Sequence, residues 1–367
     1  MPVPVSVMLK PASGACNLQC RYCFYSALQP YRDTFFKGFM QPQTAHRVID
    51  AALAFAGDSD VFFTFQGGEP LLRGLEFYQD FTSYAKRANN GRAKIVYCLQ
   101  TNGTLLNAQW CRFFKEHDFL VGVSLDGTRQ QNADRVYPDG RESFDDVLRG
   151  IECLRQFDVA FNILAVLTRK TARSVRESYR YFKESGFRYF QYITGLAPFG
   201  SSRSENSLFM ESADYAYFLD KAFRLYYNDL TRGNAVSVRQ FDNFVHLAAG
   251  HYAEQCGMNG FCSRQFVVES DGSVYPCDFY CTDDWLLGNI QTASFQKLAE
   301  SQKARAFLNA SRTLPSRCNG CAYLAVCRGC GCRRVRDDVD YCSAYRSFFE
   351  AHGAQLQQLA QIFFRHS

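Results

Sequence analysis

Sixteen cysteines beside only six histidines are the chemically loaded part of this 367-residue chain, and they are clustered. Cys16, Cys20 and Cys23 stand in CNLQCRYCFY with the spacing Cys-x3-Cys-x2-Cys. Three thiolates in so short a loop can hold three irons of a cubane cluster and leave the fourth iron open to a small molecule. Zinc is the competing occupant, but a three-thiolate zinc site needs its fourth position explained elsewhere. Ten more cysteines lie between Cys256 and Cys342. There, Cys256, Cys262 and Cys277 precede Cys318-x2-Cys321-x5-Cys327, and Cys330, Cys332 and Cys342 follow. That density is enough for two complete clusters.

The rest of the composition narrows the setting. Hydrophobic residues make up 47% and charged residues 21%, so the chain can bury a sizeable core and is not mainly disordered. A chain of this length needs no disulfide framework, and thiols kept as ligands fit a reducing cytoplasm. The net charge of +5 is spread along the chain with no long basic tract, which argues against nucleic acid. The N-terminal MPVPVSVMLKP lacks the form of a secretory signal, and apolar runs such as Val61-Phe65 are far below membrane-spanning length.

Elements must position these thiols, and the pattern names them. Short apolar runs over Val61-Phe65, Lys94-Leu99, Leu120-Leu125, Phe161-Leu167, Tyr189-Ile193 and Ala235-Val238 read as strands. Segments 42–56, 73–88, 107–116, 143–156, 171–185 and 211–230 carry helical periodicity between them. Continuous apolar strands separated by helices describe parallel β/α packing, with polar strand ends forming its active face. The texture changes near residue 235: Phe266-Ser270 and Ser273-Tyr275 read as a hairpin, and 343–365 as a closing helix. The expectation is a domain over 1–234 and a cysteine-rich domain over 235–367.

The cysteine triad, Gly67-Gly68-Glu69-Pro70 and Ser124-Leu125-Asp126-Gly127 resemble the motifs of radical S-adenosylmethionine enzymes. That resemblance implies a partial (β/α)6 TIM barrel in an α/β fold. It also implies reductive cleavage of S-adenosyl-L-methionine to a 5'-deoxyadenosyl radical. The later cysteines resemble the twin-cluster extension of peptide-modifying radical enzymes, a C-terminal domain binding two iron–sulfur clusters. Together with QTNGTL, FNIL and YPCDFY, the match from about Val7 to Cys342 is similar to anaerobic sulfatase-maturating enzymes. These convert a Cys or Ser in a sulfatase polypeptide to Cα-formylglycine. The rival within the same chemistry is a peptide maturase that forms a thioether or another crosslink.

The resemblance implies three [4Fe-4S] clusters. Cys16, Cys20 and Cys23 hold the radical-site cluster. Cys256, Cys262, Cys277 and Cys332 hold the first auxiliary cluster, and Cys318, Cys321, Cys327 and Cys342 the second. The family spacing after the ligand matching Cys327 falls on Gly331, so Cys332 is favoured by its Cys332-Arg333-Arg334 setting and Cys330 is its rival. Cys98, Cys111 and Cys153 are read as packing residues, and Cys281 and Cys330 as spares near the sites. Asp278, after Cys277, is the expected catalytic base; its bland alternative is tuning of the neighbouring cluster. Gln66 is expected to position substrate, while Tyr25, Gly67, Gly68, Glu69, Ser124 and Leu196 are expected to contact the cofactor. For Leu196 an ordinary core role is the alternative. The implied partners are an unfolded or nascent sulfatase segment Cys/Ser-x-Pro-x-Arg and a low-potential donor such as flavodoxin or ferredoxin.

Overall fold

A computed structural model describes residues 4–201 and 207–364. Two compact units are interleaved along the chain. The first comprises 1–124, 133–161 and 264–307, and the second comprises 125–132, 162–263 and 308–367.

In the first unit the strands are β1 (Val5–Lys10), β2 (Val61–Phe65), β3 (Ile95–Thr101) and β4 (Leu120–Ser124), joined by helices Pro42–Ala56, Leu75–Asn89 and Ala108–Glu116. Strands β1 to β4 pair in parallel, with Val5 opposite Val61 and Val61 opposite Ile95. Val7, Leu9, Phe63, Phe65, Val121 and Val123 are fully buried. Phe65 meets Tyr78 and Phe81 edge-on from the helix Leu75–Asn89, at centroid distances of 4.9 and 5.0 Å. Burying one such ring is worth about 1.5–3 kcal/mol. The helix Ala108–Glu116 starts where Asn107 accepts from the amides of Gln109 and Trp110, which satisfies two otherwise unpaired donors.

Three further strands of this unit come from far along the chain: β8 (Phe266–Glu269), β9 (Ser273–Tyr275) and β10 (Gly288–Asn289). The first two form the expected hairpin. Strand β8 also pairs in parallel with β1, placing Lys10 beside Glu269. Strand β1 itself is not among the expected strands.

The second unit carries β5 (Phe161–Leu167), β6 (Tyr189–Thr194) and β7 (Ser237–Val238), also parallel. The single helix expected over 171–185 is two, Arg169–Arg173 and Val175–Glu184, separated at Ser174. A long helix, Ser212–Thr231, packs against the closing helix Cys342–Phe364, with Phe223 edge-on to Phe348 at 5.2 Å. No helix among the described residues is long and apolar enough to cross a membrane.

Candidate active site

The cysteine triad lies in a loop that follows β1 and is fastened on two sides. The amides of Gln19 and Arg21 donate to the carbonyls of Val136 (2.7 Å) and Asp134 (3.0 Å). Asn17 accepts from Asn102 Nδ2 at 2.8 Å and donates to Thr104 Oγ1 at 2.9 Å, which ties the loop to the end of β3. Cys16 is exposed as a residue, yet protein atoms crowd its thiol. That desolvation pushes its pKa up to about 12, and the nearby Glu69, Cys20 and Cys23 add to the shift. A thiol that resists ionising alone is ionised when a cation takes the proton's place. The donor set therefore fits an iron–sulfur cluster.

Gly67 and Gly68 explain themselves at this loop. Both have positive φ, +99° and +55°, and a Cβ on Gly68 would lie 2.1 Å from the carbonyl oxygen of Ala15. The amide of Glu69 then donates to that same carbonyl at 2.8 Å. Glu69 is wholly buried. Its carboxylate accepts from the Leu71 amide (3.0 Å), Thr101 Oγ1 (2.9 Å) and the Asn102 amide (2.8 Å). Burial pushes its pKa up to about 7 against the pull of those three donors. Ser124, at the end of β4, accepts from Gln100 Nε2 at 3.1 Å.

The expected base meets two other expected residues. Asp278 Oδ2 accepts from Tyr25 Oη at 2.6 Å and from Gln66 Nε2 at 3.2 Å, and Gln66 Nε2 also donates to Tyr25 Oη at 3.1 Å. Tyr25 follows the cysteine triad, Gln66 precedes the paired glycines, and Asp278 follows Cys277. Three sequence-distant motifs thus converge on one carboxylate.

Sequence reasoning missed the charges beneath it. Lys10 Nζ lies 3.1 Å from Asp278 Oδ1, 3.8 Å from Glu269 Oε1 and 4.4 Å from the centre of the Tyr25 ring. Arg32 Nη2 lies 2.8 Å from the same Glu269 oxygen. Lys10 and Glu269 are 1% and 0% exposed, so these charges depend on one another. Burial by itself would push Lys10 down, but Asp278 and Glu269 help hold it well above the ordinary lysine range. The available signal was a lysine closing the apolar run VSVMLK.

In the second unit, Cys256, Cys262 and Cys332 lie within electrostatic range of one another. Gly257, at φ +85°, packs so close to Cys332 that a Cβ would lie 2.6 Å from its Cα. The Cys262 amide donates to Ser311 Oγ at 2.9 Å. Cys277 is in the first unit. Cys318 has Cys327, Cys342 and Cys321 as electrostatic neighbours. Cys330 adjoins this group: its sulfur is 3.6 Å from that of Cys327. Leu196 is buried in the second unit. Cys111 and Cys153 face each other across the helices Ala108–Glu116 and Phe144–Gln156 at 3.2 Å, and Cys281 is buried.

Family models match in two stretches: the radical SAM superfamily over residues 11–194 and an iron–sulfur cluster-binding domain over 256–322. The cysteine-type anaerobic sulfatase-maturating enzyme of Clostridium perfringens (strain 13) is 41% identical over 95% of this chain and 96% of its own. This chain belongs to the anaerobic sulfatase-maturating enzymes. The serine-type relative from Bacteroides thetaiotaomicron is more distant, 29% identical over 95% of this chain and 89% of its own. A solved structure described as native anSMEcpe with bound AdoMet and Cp18Cys peptide superposes with a TM-score of 0.93, covering 98% of this chain and 100% of that one at 39% identity. The parallel α/β architecture is accordingly the radical SAM partial barrel with an iron–sulfur extension.

Proposed function

We propose that this enzyme oxidises a cysteine of a sulfatase polypeptide to Cα-formylglycine without molecular oxygen. The observation that carries the reading is the convergence of Tyr25, Gln66 and Asp278 beside the cysteine triad, in a chain 41% identical to a cysteine-type enzyme nearly end to end. When bound, the cluster held by Cys16, Cys20 and Cys23 and S-adenosyl-L-methionine would supply the radical chemistry that activates the target Cβ.

This chain's residues manage the remaining chemistry. Asp278 receives the thiol proton, a task a carboxylate performs when held within hydrogen-bond reach. Tyr25 and Gln66 fix its Oδ2, and Lys10 balances its charge from the other oxygen. Glu69, Gly67 and Gly68 bind the methionine end of the cofactor, Tyr25 and Ser124 contact it, and Leu196 packs against the adenine. Forming the aldehyde also requires a second electron to leave for an acceptor and water to replace the sulfur.

In this reading Cys16, Cys20 and Cys23 hold the radical-site cluster. Cys256, Cys262, Cys277 and Cys332 hold the first auxiliary cluster, with Cys332 rather than Cys330 supported by its packing on Gly257 and its neighbours Cys256 and Cys262. Cys318, Cys321, Cys327 and Cys342 hold the second. Residues 1–234 form the radical module and 235–367 the auxiliary module, a division supported by family matches on either side of it. The target is a Cys-x-Pro-x-Arg segment of an unfolded or nascent sulfatase in the cytoplasm. Flavodoxin or ferredoxin supplies the low-potential electrons.

The test is anaerobic turnover of matched Cys and Ser peptides with S-adenosyl-L-methionine and a low-potential reductant. Mass spectrometry and an aldehyde probe should show formylglycine from the Cys peptide, with 5'-deoxyadenosine. A thioether or other crosslink in place of the aldehyde would instead identify a crosslinking maturase.

A further inference from the structure

The cysteine-rich region holds two thiols more than its two proposed auxiliary clusters need, Cys281 and Cys330, and both are buried; Cys330 is the one that adjoins the second set. Cys330 is 7% exposed and adopts φ +69°, a left-handed conformation that a residue with a Cβ adopts only at a cost. It sits in a run of left-handed residues: Arg328 at φ +49°, Gly329 at +85° and Gly331 at +85°. That curl brings the Cys330 amide within 3.2 Å of the Cys327 carbonyl and its sulfur within 3.6 Å of the Cys327 sulfur. Cys318 and Cys342 lie within electrostatic range of Cys330 as well. Five thiols therefore gather where a cubane uses four.

The 3.6 Å separation decides what the fifth thiol can do. Thiolates on different irons of a cubane radiate away from one another, one at each corner, so sulfurs in van der Waals contact address a single corner. We propose that Cys330 is a stand-in ligand for Cys327 at the second auxiliary cluster. The inference rests on reading Cys318, Cys321, Cys327 and Cys342 as that cluster's ligands. Exchange is balanced without any redox change: Cys330 loses its thiol proton as it binds iron, and the departing Cys327 thiolate takes one up. The spare beside the first auxiliary set, Cys281, is buried with its sulfur on the Cys277 carbonyl at 3.6 Å rather than on a ligand sulfur.

The test uses the full chain, reconstituted anaerobically, with alanine at each varied position because alanine offers no donor atom. Iron and labile sulfide are measured with the electron paramagnetic resonance of the reduced clusters. C330A is expected to keep the wild-type iron content. C327A should also keep it, with the second cluster's signal shifted in position but undiminished in integrated spin. C327A/C330A should lack one cubane's iron and sulfide, as should C321A, which has no neighbouring spare. Equal depletion of C327A and C327A/C330A overturns the stand-in role, as does full iron in the double variant. Unfolding of C327A under conditions where C321A folds overturns it too, since a stand-in ligand would have held the site together. Full iron in C321A would instead defeat the ligand set on which the inference rests.

Discussion

Tyr25 donates a 2.6 Å hydrogen bond to Asp278 across 253 positions of the chain. The bond runs from two residues after the cysteine triad to the residue after Cys277, and Gln66 joins it from the strand-end motif. A carboxylate held by two neutral donors and one lysine is fixed in orientation yet retains lone pairs for a substrate proton. Asp278→Asn keeps the shape and removes the basicity. Peptide oxidation should fall by roughly 10²–10⁴-fold while iron content and cofactor binding persist. Parallel assays of iron, cofactor binding and formylglycine check this; undiminished formylglycine would remove Asp278 from the base role.

Lys10 is the counter-charge that sequence reasoning overlooked. Lys10→Met keeps the length and deletes the ammonium, leaving Asp278 and Glu269 with Arg32 as the remaining nearby cation. Breaking a buried pair in this way costs about 3–5 kcal/mol. Because the folded-state pKa of Lys10 is raised, its contribution is fully present below the ordinary lysine pKa and is lost as pH rises through the higher folded value. Denaturant midpoints at neutral pH should therefore separate wild type and variant clearly. Coincident midpoints would show that the lysine is dispensable.

Gly68→Ala places a Cβ 2.1 Å from a carbonyl oxygen in a left-handed conformation, so the triad loop has to move. Its strain is on the order of 1–3 kcal/mol. Gly38→Ala, also left-handed but with open space around the new Cβ, controls for the backbone term. Equilibrium binding of S-adenosyl-L-methionine should weaken at least tenfold for Gly68→Ala and little for Gly38→Ala.

Gly257→Ala drives a Cβ into Cys332. Iron from the first auxiliary site should be lost while the radical-site cluster still reduces and cleaves cofactor. Gly250→Ala, left-handed in open space, should keep its iron. Equal iron in both variants would argue against Cys332 as a ligand at that position.

Asp220 joins two helices of the second unit by accepting from His352 Nε2 at 2.8 Å. Burial pushes its carboxyl up, but hydrogen bonds from Lys221, His352 and Arg224 outweigh that and hold it well below the usual carboxylate range. A depressed pKa contributes stability above the unfolded-state value, about 3.9, and loses it as pH falls through the folded value. Asp220→Asn should cost about 1.5–3 kcal/mol at pH 7, with the gap from wild type closing in acid. Denaturation curves from pH 7 to pH 3 measure that gap; a constant difference would assign the loss to packing.

The parallel strands β2 to β6 and the β8–β9 hairpin were legible as short apolar runs, most of them closed by Gly, Asp or Asn. The triad, Gln66, Glu69 and Asp278 were legible because their motifs are local. Strand β1 was not, since VSVMLK closes on a charge and its partners are β2 and the distant β8. Lys10, Arg32 and Glu269 stayed hidden for a related reason: a buried charge has the same letter as a solvated one, and only the fold shows its partners. The break at Ser174 escaped because both short helices continue one apolar stripe.

The parallel pairing of β8 with β1 limits how this chain can be divided. A fragment ending at residue 234 would look, by sequence, like a complete radical module. It would lack β8, and with it the strand that covers one side of β1. Val7 and Leu9 would then border a bare row of amides and carbonyls, the template on which chains stick edge to edge. Such a fragment should aggregate, and it would carry no Asp278. Fusions and truncations for handling this enzyme need to retain the hairpin at 266–275 together with the N-terminal strand.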